Sequence, residues 1–169
     1  GTAMFEAIRK TLRKVRQSSV GFESSAMSVQ MHARLCEEIP KVDWVACDGR
    51  VEALRMIKDR EEIRAIREAV DIAQRAFAVA RCGLRGSETE RSVAHGLENQ
   101  IRLFGGRGCS FPPIVACGPR AALPHARPES VTIESHGLLL IDWGADERGG
   151  YKSDLTRVLV TGKISPKLE

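Results

Sequence analysis

The sequence predicts an α+β fold in two parts, and two patterns support this prediction. In much of the chain up to Gly106, apolar residues recur every three or four positions, which is the period of a helix with one buried face. From Gly108 onward, short apolar and β-branched runs alternate with Gly, Pro and Ser, as is typical of strands and loops. With 169 residues, 43% of them hydrophobic, the chain is long enough to bury a core of ordinary size.

The first fifty residues predict two helices that alternate with two strands. Helical spacing covers about 5–16 and about 28–39, while strand-like runs cover Ser19–Glu23 and the segment "DWVACD" at 43–48. We interpret this part as an α/β fragment with few strands.

A domain boundary is expected near Arg50–Lys58, because the alternation ends there and a long helical pattern begins. We place it between residues 1–53 and 54–169. The long helix starts near Lys58, and Gly83 lies just past its end. Its predicted buried stripe comprises Ile63, Ile66, Val70, Ala73, Phe77 and Ala80.

A second helix follows a sequence signal for a helix start. In "SETE", Ser87 and Glu90 have the spacing of a capping box, and Gly105 and Gly106 close the helix. The residues expected to face inward are Val93, Leu97, Ile101 and Phe104. Strands and loops are then predicted in the segments "SFPPIVACG", "VTIES", "GLLLIDWGA" and "YKSDLTRVLV".

Composition and charge argue against several classes of protein. The five cysteines include no C-x-x-C pair, so neither a disulfide framework nor a thiolate zinc site is indicated. No apolar run approaches the roughly 20 residues that span a bilayer. The net charge is +4, but the basic run between Arg9 and Arg16 interleaves with apolar residues at helical spacing, which predicts the solvated face of a helix. We expect a cytoplasmic enzyme or binding protein without a nucleic-acid or membrane partner.

Two aspartates, Asp142 and Asp154, stand in strand-like runs on either side of the short turn "DERGG". If 138–145 and 151–160 pair as antiparallel strands around a turn centred on Arg148, the two aspartates face each other directly. Two buried carboxylates in this arrangement repel, so a cation must lie between them or one of them must be protonated.

Two kinds of cation remain open for this pair. Lys152 has the parity to lie beside Asp154 in a structural Asp-Asp-Lys cluster, whereas Arg157 points to the other face of a regular strand. The alternative is a divalent metal site, because hard cations prefer oxygen ligands held on rigid strands.

A third candidate is His125, which lies between Pro124 and Pro128 in a loop that follows a predicted strand. A histidine held in this way can hydrogen-bond a substrate or transfer a proton near neutral pH. His32 and His95 fall on predicted helices and are expected to be ordinary surface or boundary histidines.

Four segments together resemble one known family. "DWGADERGGYKSDLTR" resembles the D-x-G…G-Y-x-S-D-x-T-R signature of the pita-bread metallopeptidases, and "ALPHARP" resembles the active-site histidine segment of their Xaa-Pro branch, aminopeptidase P and prolidase. "KDREEIRAIREAVDIAQRAF" is similar to the helix that opens their catalytic domain, and "VGFE" to a strand of the preceding creatinase-like domain. The resemblance implies the end of a small creatinase-like α/β domain followed by the first half of a pita-bread domain.

The resemblance also implies an activity. Asp142 and Asp154 would be two of five ligands to a pair of divalent ions, manganese or alternatively cobalt or zinc, and His125 would contact the substrate near the scissile bond. The substrate would be a peptide with proline at its second position, and the enzyme would be a homodimer.

Two features depart from the family pattern. Eleven residues separate the two aspartates, one more than is usual, and the family's other histidine and glutamate ligands lie well beyond the second aspartate. Because only 15 residues follow Asp154, we expect a piece of a longer enzyme that is inactive by itself. The alternative is a non-catalytic pita-bread module that binds peptides or histone-like tails, against which the two intact aspartates argue.

Overall fold

The described residues of the first unit of the protein, Gly1–Lys58, form two parallel strands and three helices. The structure is a computed structural model, and it describes residues 2–16 and 18–163. The elements of this unit are α1 (Thr2–Val15), β1 (Ser19–Phe22), α2 (Val29–Glu38), β2 (Asp43–Ala46) and α3 (Arg50–Met56). Strands β1 and β2 pair in parallel and are connected through α2.

The core of this first unit is small. Phe5 of α1 packs with Leu35 and Ile39, and the basic residues of α1 lie mainly on its outer face, as the sequence predicted. Helix α3 was not predicted, because every one of its residues is exposed and its sequence therefore carries no burial pattern.

The second unit, Asp59–Glu169, packs two helices against a small antiparallel sheet. Its sheet has the order β4-β5-β7, and a separate two-residue pair joins β3 to β6. The elements are α4 (Arg60–Gly83), α5 (Glu90–Leu103), β3 (Gly108–Cys109), β4 (Ile114–Cys117), β5 (Leu138–Trp143), β6 (Ala145–Asp146) and β7 (Leu155–Val160). The segment "VTIES" forms a short 3-10 helix, Ile133–Ser135, instead of a regular strand.

Helix α4 begins at a capping box, in which Asp59 accepts a hydrogen bond from the Glu62 N–H and the Glu62 carboxylate accepts one from the Asp59 N–H. The predicted stripe is only partly right, because Ile63 at its start is 40% exposed. The fully or nearly fully buried positions are Ala69, Ile72, Ala73 and Ala76. Three of these are alanines, and such small side chains let the helix approach the sheet closely.

Helix α5 starts two residues later than the predicted capping box implies. Its N-cap is Thr89, which forms a reciprocal pair with Ser92. The predicted box between Ser87 and Glu90 is wrong because the Glu90 carboxylate turns into the protein and accepts other hydrogen bonds. Of the residues predicted to face inward, Val93, Leu97 and Ile101 belong to the buried core cluster, and the partly buried Phe104 packs against it.

The two faces of strand β5 have different surroundings. Leu139, Ile141 and Trp143 are buried in the cluster that includes α4 and α5, whereas Asp142 is only partly buried. Successive residues of a strand point to opposite faces, so Asp142 lies on the face away from these two helices. Within the described residues, no helix is both long and apolar enough to cross a membrane.

Candidate functional site

A cavity of about 410 Å³ brings together all three residues that the sequence singled out. His125, Asp142 and Asp154 lie in its lining. The remaining wall is formed mainly by apolar side chains, from Phe111, Pro112, Pro113, Ile114, Ala126, Arg127 and Pro128. The cavity therefore combines two carboxylates and an imidazole with an apolar wall, a composition typical of small-ligand sites.

Asp142 lies in a mixed electrostatic environment. Burial is the largest influence and raises the pKa of its carboxyl group, and the nearby Asp154 raises that pKa further. A hydrogen bond from Thr156 Oγ1 to Asp142 Oδ1, 3.0 Å long, and the nearby His125 lower the pKa. The net shift is upward, so the cavity disfavours the ionised form of Asp142 when no cation is bound.

The predicted strand register is wrong by two residues. Asp142 lies opposite Thr156 rather than opposite Asp154, which directly precedes β7. The cause is the turn, where the buried Glu147 carboxylate accepts hydrogen bonds from the N–H groups of Gly149 and Tyr151. Because the shift is an even number of residues, it preserves the parity of the two aspartates, and both line the same cavity.

The neighbours of the aspartates attach this hairpin to helix α4. Trp143 Nε1 donates a hydrogen bond to the Ala73 carbonyl at 2.9 Å, and Ser153 Oγ donates one to the Ala69 carbonyl at 3.0 Å. The Trp143 ring also stacks on Phe77, with 4.4 Å between the ring centroids. Each aspartate is thus the chain neighbour of a buried residue, Trp143 or Ser153, that is hydrogen-bonded to α4.

Sequence reasoning missed the positioning roles of Ser153 and Thr156. A hydroxyl at either position has no hydrophobic signal, and both contacts join residues that are distant in the chain. The remaining predicted residue, His125, lies in an exposed loop with φ 60°, a left-handed conformation that is uncommon for a residue with a side chain.

The proposed Asp-Asp-Lys cluster is not formed. Lys152 Nζ donates to the Ser110 carbonyl at 3.3 Å, and Arg157 donates to the Thr156 carbonyl. Across residues 2–16 and 18–163, no lysine or arginine forms an ion pair with Asp142 or Asp154.

The donor chemistry of the pair fits a divalent cation. Two carboxylates that lie together without a lysine or arginine ion pair within the described residues supply the oxygen donors that hard cations prefer. The part of the chain that the structure describes contains no group of three or more metal-binding side chains, so these residues supply only part of a coordination shell.

Comparisons with known proteins match both units. Residues 64–169 match the model of metallopeptidase family M24, and residues 1–57 match the creatinase/prolidase N-terminal domain. The chain is 34% identical over 169 residues to the uncharacterized peptidase YqhT of Bacillus subtilis, covering all of this chain and 48% of YqhT. The chain spans about half the length of the curated relatives it matches.

Two solved structures share the fold. The Xaa-Pro dipeptidase from Bacillus anthracis superposes with a TM-score of 0.90 at 33% identity, over 97% of this chain and 46% of that one. The X-Pro aminopeptidase from Thermotoga maritima gives 0.86 at 30% identity, over 98% and 47% respectively. These matches confirm the predicted combination of a creatinase-like domain with the start of a pita-bread domain. The chain therefore belongs to metallopeptidase family M24.

Proposed function

We propose that the whole protein is a divalent-metal peptidase that hydrolyses the peptide bond before a proline at the second position of a peptide. The observation that carries this proposal is the cavity in which Asp142, Asp154 and His125 lie beside an apolar wall. Solved structures similar to this chain are named Xaa-Pro dipeptidase and X-Pro aminopeptidase, which supports the same substrate class.

Asp142 and Asp154 would hold the metal ions, which would polarise the scissile carbonyl and activate a water molecule. The Thr156 hydroxyl fixes the orientation of Asp142 through its hydrogen bond. His125 would donate a hydrogen bond to the substrate near the scissile bond and would stabilise negative charge that develops there.

The apolar part of the cavity suits the substrate. Phe111, Pro112, Pro113 and Pro128 form the apolar part of the wall, which also contains Arg127, and a pyrrolidine ring can pack against these apolar side chains. Exclusion of water by this wall strengthens the hydrogen bonds made by the polar residues beside it.

Several finer points belong to the same proposal. Manganese is the proposed metal, with cobalt or zinc as alternatives, and the proposed assembly is a homodimer in the cytoplasm. An enzyme that accepts only dipeptides would be a dipeptidase, and one that also accepts longer peptides would be an aminopeptidase.

The test uses the full-length protein, stripped of metal and reconstituted with manganese, with the peptides Ala-Pro, Ala-Pro-Ala and Ala-Ala. We expect manganese-dependent release of alanine from the proline-containing peptides and very little from Ala-Ala. His125→Ala should lower turnover by about 100-fold or more while metal content stays unchanged. Asp142→Asn combined with Asp154→Asn should lose both metal and turnover, whereas Asp71→Asn on the exposed face of α4 should lose neither.

Three outcomes contradict parts of the proposal. Equal cleavage of Ala-Ala rejects the specificity for proline, and a parallel loss of metal and turnover in His125→Ala makes this histidine a ligand. A metal-loaded full-length protein that binds these peptides without hydrolysing them supports the non-catalytic module.

A further inference from the structure

The carboxylate of Glu90 is completely buried, yet it lies outside the candidate cavity. It accepts hydrogen bonds from the Cys117 N–H at 2.8 Å and from the Glu129 N–H at 2.9 Å. A buried carboxylate is costly unless its oxygens are paired, and these bonds satisfy both of them. Residues 118–129, which we name the His125 loop, begin directly after Cys117 and end at Glu129. Glu90 therefore ties together the two ends of the loop that carries His125.

Arg120 extends this connection into the loop. Its Nε lies 3.3 Å from both oxygens of Glu90, and its Nη1 forms an ion pair of 2.7 Å with Glu129. Its Nη2 donates a hydrogen bond of 2.7 Å to the Arg127 carbonyl. The planar guanidinium group thus connects three points with fixed geometry, which a lysine could not do.

The backbone between these attachment points is strained at His125. His125 has a φ of 60°, a sparsely populated backbone conformation for a residue with a side chain, so its surroundings must impose it. Within the loop, the Leu123 N–H donates to the Arg120 carbonyl at 3.0 Å, and the Ala126 N–H donates to the Leu123 carbonyl at 3.3 Å. The hydrogen bond from Arg120 Nη2 to the Arg127 carbonyl connects the chain before His125 with the chain after it.

We propose that Glu90 and Arg120 are positioning residues that hold the His125 loop in the conformation that brings His125 into the cavity with Asp142 and Asp154. The inference rests on the proposed function, because it gives His125 a role in catalysis. Glu90 and Arg120 act through His125 and line no part of the cavity themselves.

The first measurement is independent of catalysis. Amide hydrogen exchange of the full-length protein should become faster within residues 121–127 in Arg120→Ala, while exchange in helix α4 stays unchanged. Glu90→Gln should act in the same direction, because the amide loses charge-assisted bonding to Arg120. Arg120→Ala removes a side chain that is 24% exposed and leaves the Cys117 and Glu129 N–H bonds to Glu90 in place, so it provides the test if Glu90→Gln fails to fold. The matched control is Glu61→Gln, which removes an exposed ion pair with Arg64.

The second measurement asks whether Arg120 acts through His125. Arg120→Ala should lower kcat/KM by about 100-fold, as small misplacements of catalytic groups do, and Arg120→Lys should recover only part of that loss. In a His125→Ala background, the same Arg120→Ala change should cost less than about 2-fold.

The two measurements distinguish failure of this inference from failure of the proposed function. Unchanged loop exchange in Arg120→Ala overturns the inference, as do losses that simply multiply in the double variant. Absence of peptidase activity in the unmodified protein rejects the proposed function, and the exchange experiment still decides whether Glu90 and Arg120 hold the loop.

Discussion

The backbone of Gly144 passes so close to the carbonyl of Ser153 that residue 144 has no room for a side chain. A Cβ atom there would overlap with the Ser153 carbonyl oxygen and with Ser110 Oγ. Ser110 Oγ also donates a hydrogen bond of 2.7 Å to that same carbonyl. The close approach lies between Asp142 and Asp154 in the chain, so it fixes the path of the hairpin that carries both.

Replacing Gly144 by alanine should therefore destabilise the second unit by about 1–3 kcal/mol or more, since backbone must move to admit the methyl group. Chemical denaturation measures this change. The matched control is Gly96→Ala on helix α5, where a Cβ meets nothing within 4 Å, so a gain of about 0.5–1 kcal/mol is expected. Equal effects of the two substitutions would contradict the steric argument.

Ser153→Ala should cost about 1–3 kcal/mol of unfolding free energy. The substitution removes the donor to the Ala69 carbonyl and leaves the buried Ala145 N–H without its acceptor. Ser130→Ala is the control, because Ser130 is exposed and its hydroxyl makes no side-chain hydrogen bond within the described residues. If the unfolding free energy of Ser153→Ala lies within about 0.5 kcal/mol of that of the unmodified protein, which is the range of ordinary surface changes, these hydrogen bonds are dispensable.

Asp142→Asn should stabilise the metal-free protein at pH 7. Burial and the nearby Asp154 raise the pKa of Asp142 in the folded state, so the folded state holds this proton more tightly than the unfolded chain does. Stability is therefore lost as pH rises from the ordinary value of 3.8 through the raised pKa, and the loss persists above it. The gain from asparagine should shrink as pH falls toward 3.8.

Denaturation curves of the two proteins at several pH values between 7 and 4 test this expectation. Asp71→Asn, at an exposed position paired with Arg75, should show no gain at pH 7. A stability gain for Asp142→Asn that grows toward low pH would contradict the raised pKa of Asp142.

The cysteines should differ sharply in reactivity. Burial raises the pKa of Cys109 and of Cys117 to about 11, with nearby Glu98 and Glu90 adding to the respective shifts, so little thiolate is present near neutral pH. Cys36 and Cys82 are exposed. Iodoacetamide at pH 8 should alkylate Cys36 and Cys82 and spare Cys109 and Cys117 until the protein unfolds, as mass spectrometry can show.

The 169-residue chain alone should show no Xaa-Pro peptidase activity with manganese. Its described residues offer two carboxylates at the cavity and no larger metal-binding group. Any thermal stabilisation by manganese should appear only at high ion concentration, following mass action, and should vanish in Asp142→Asn combined with Asp154→Asn. Efficient cleavage, with contamination excluded, would show that these residues suffice.

Much of the fold follows from periodicity along the chain. The apolar run at 138–141 is visible in the sequence and predicts a strand, and strand geometry then directs Asp142 to the face opposite the buried Leu139, Ile141 and Trp143. The register was not predictable, because it depends on how the Glu147 carboxylate organises its turn. Such hydrogen bonds leave no trace in the hydrophobic pattern.

The candidate site, too, could be predicted from the sequence only in part. The parity of Asp142 and Asp154 follows from strand geometry. The prolines on either side of His125 made it a candidate, and the resemblance to a known family implied its contact with the substrate. The role of Glu90 was misjudged, because local spacing suggested a helix cap while its actual partners lie 27 and 39 residues away. Long-range bonds of this kind decide the direction of a side chain only once the chain has folded.

The two tryptophans of the protein fall into different units, and this has a spectroscopic consequence. Trp44 lies in β2 of the first unit, and Trp143 is buried against Phe77 in the second. Tryptophan fluorescence of Trp44→Phe would arise from the second unit alone, and that of Trp143→Phe from the first alone. Comparing the two emission signals during denaturation would reveal whether the units unfold together or in sequence.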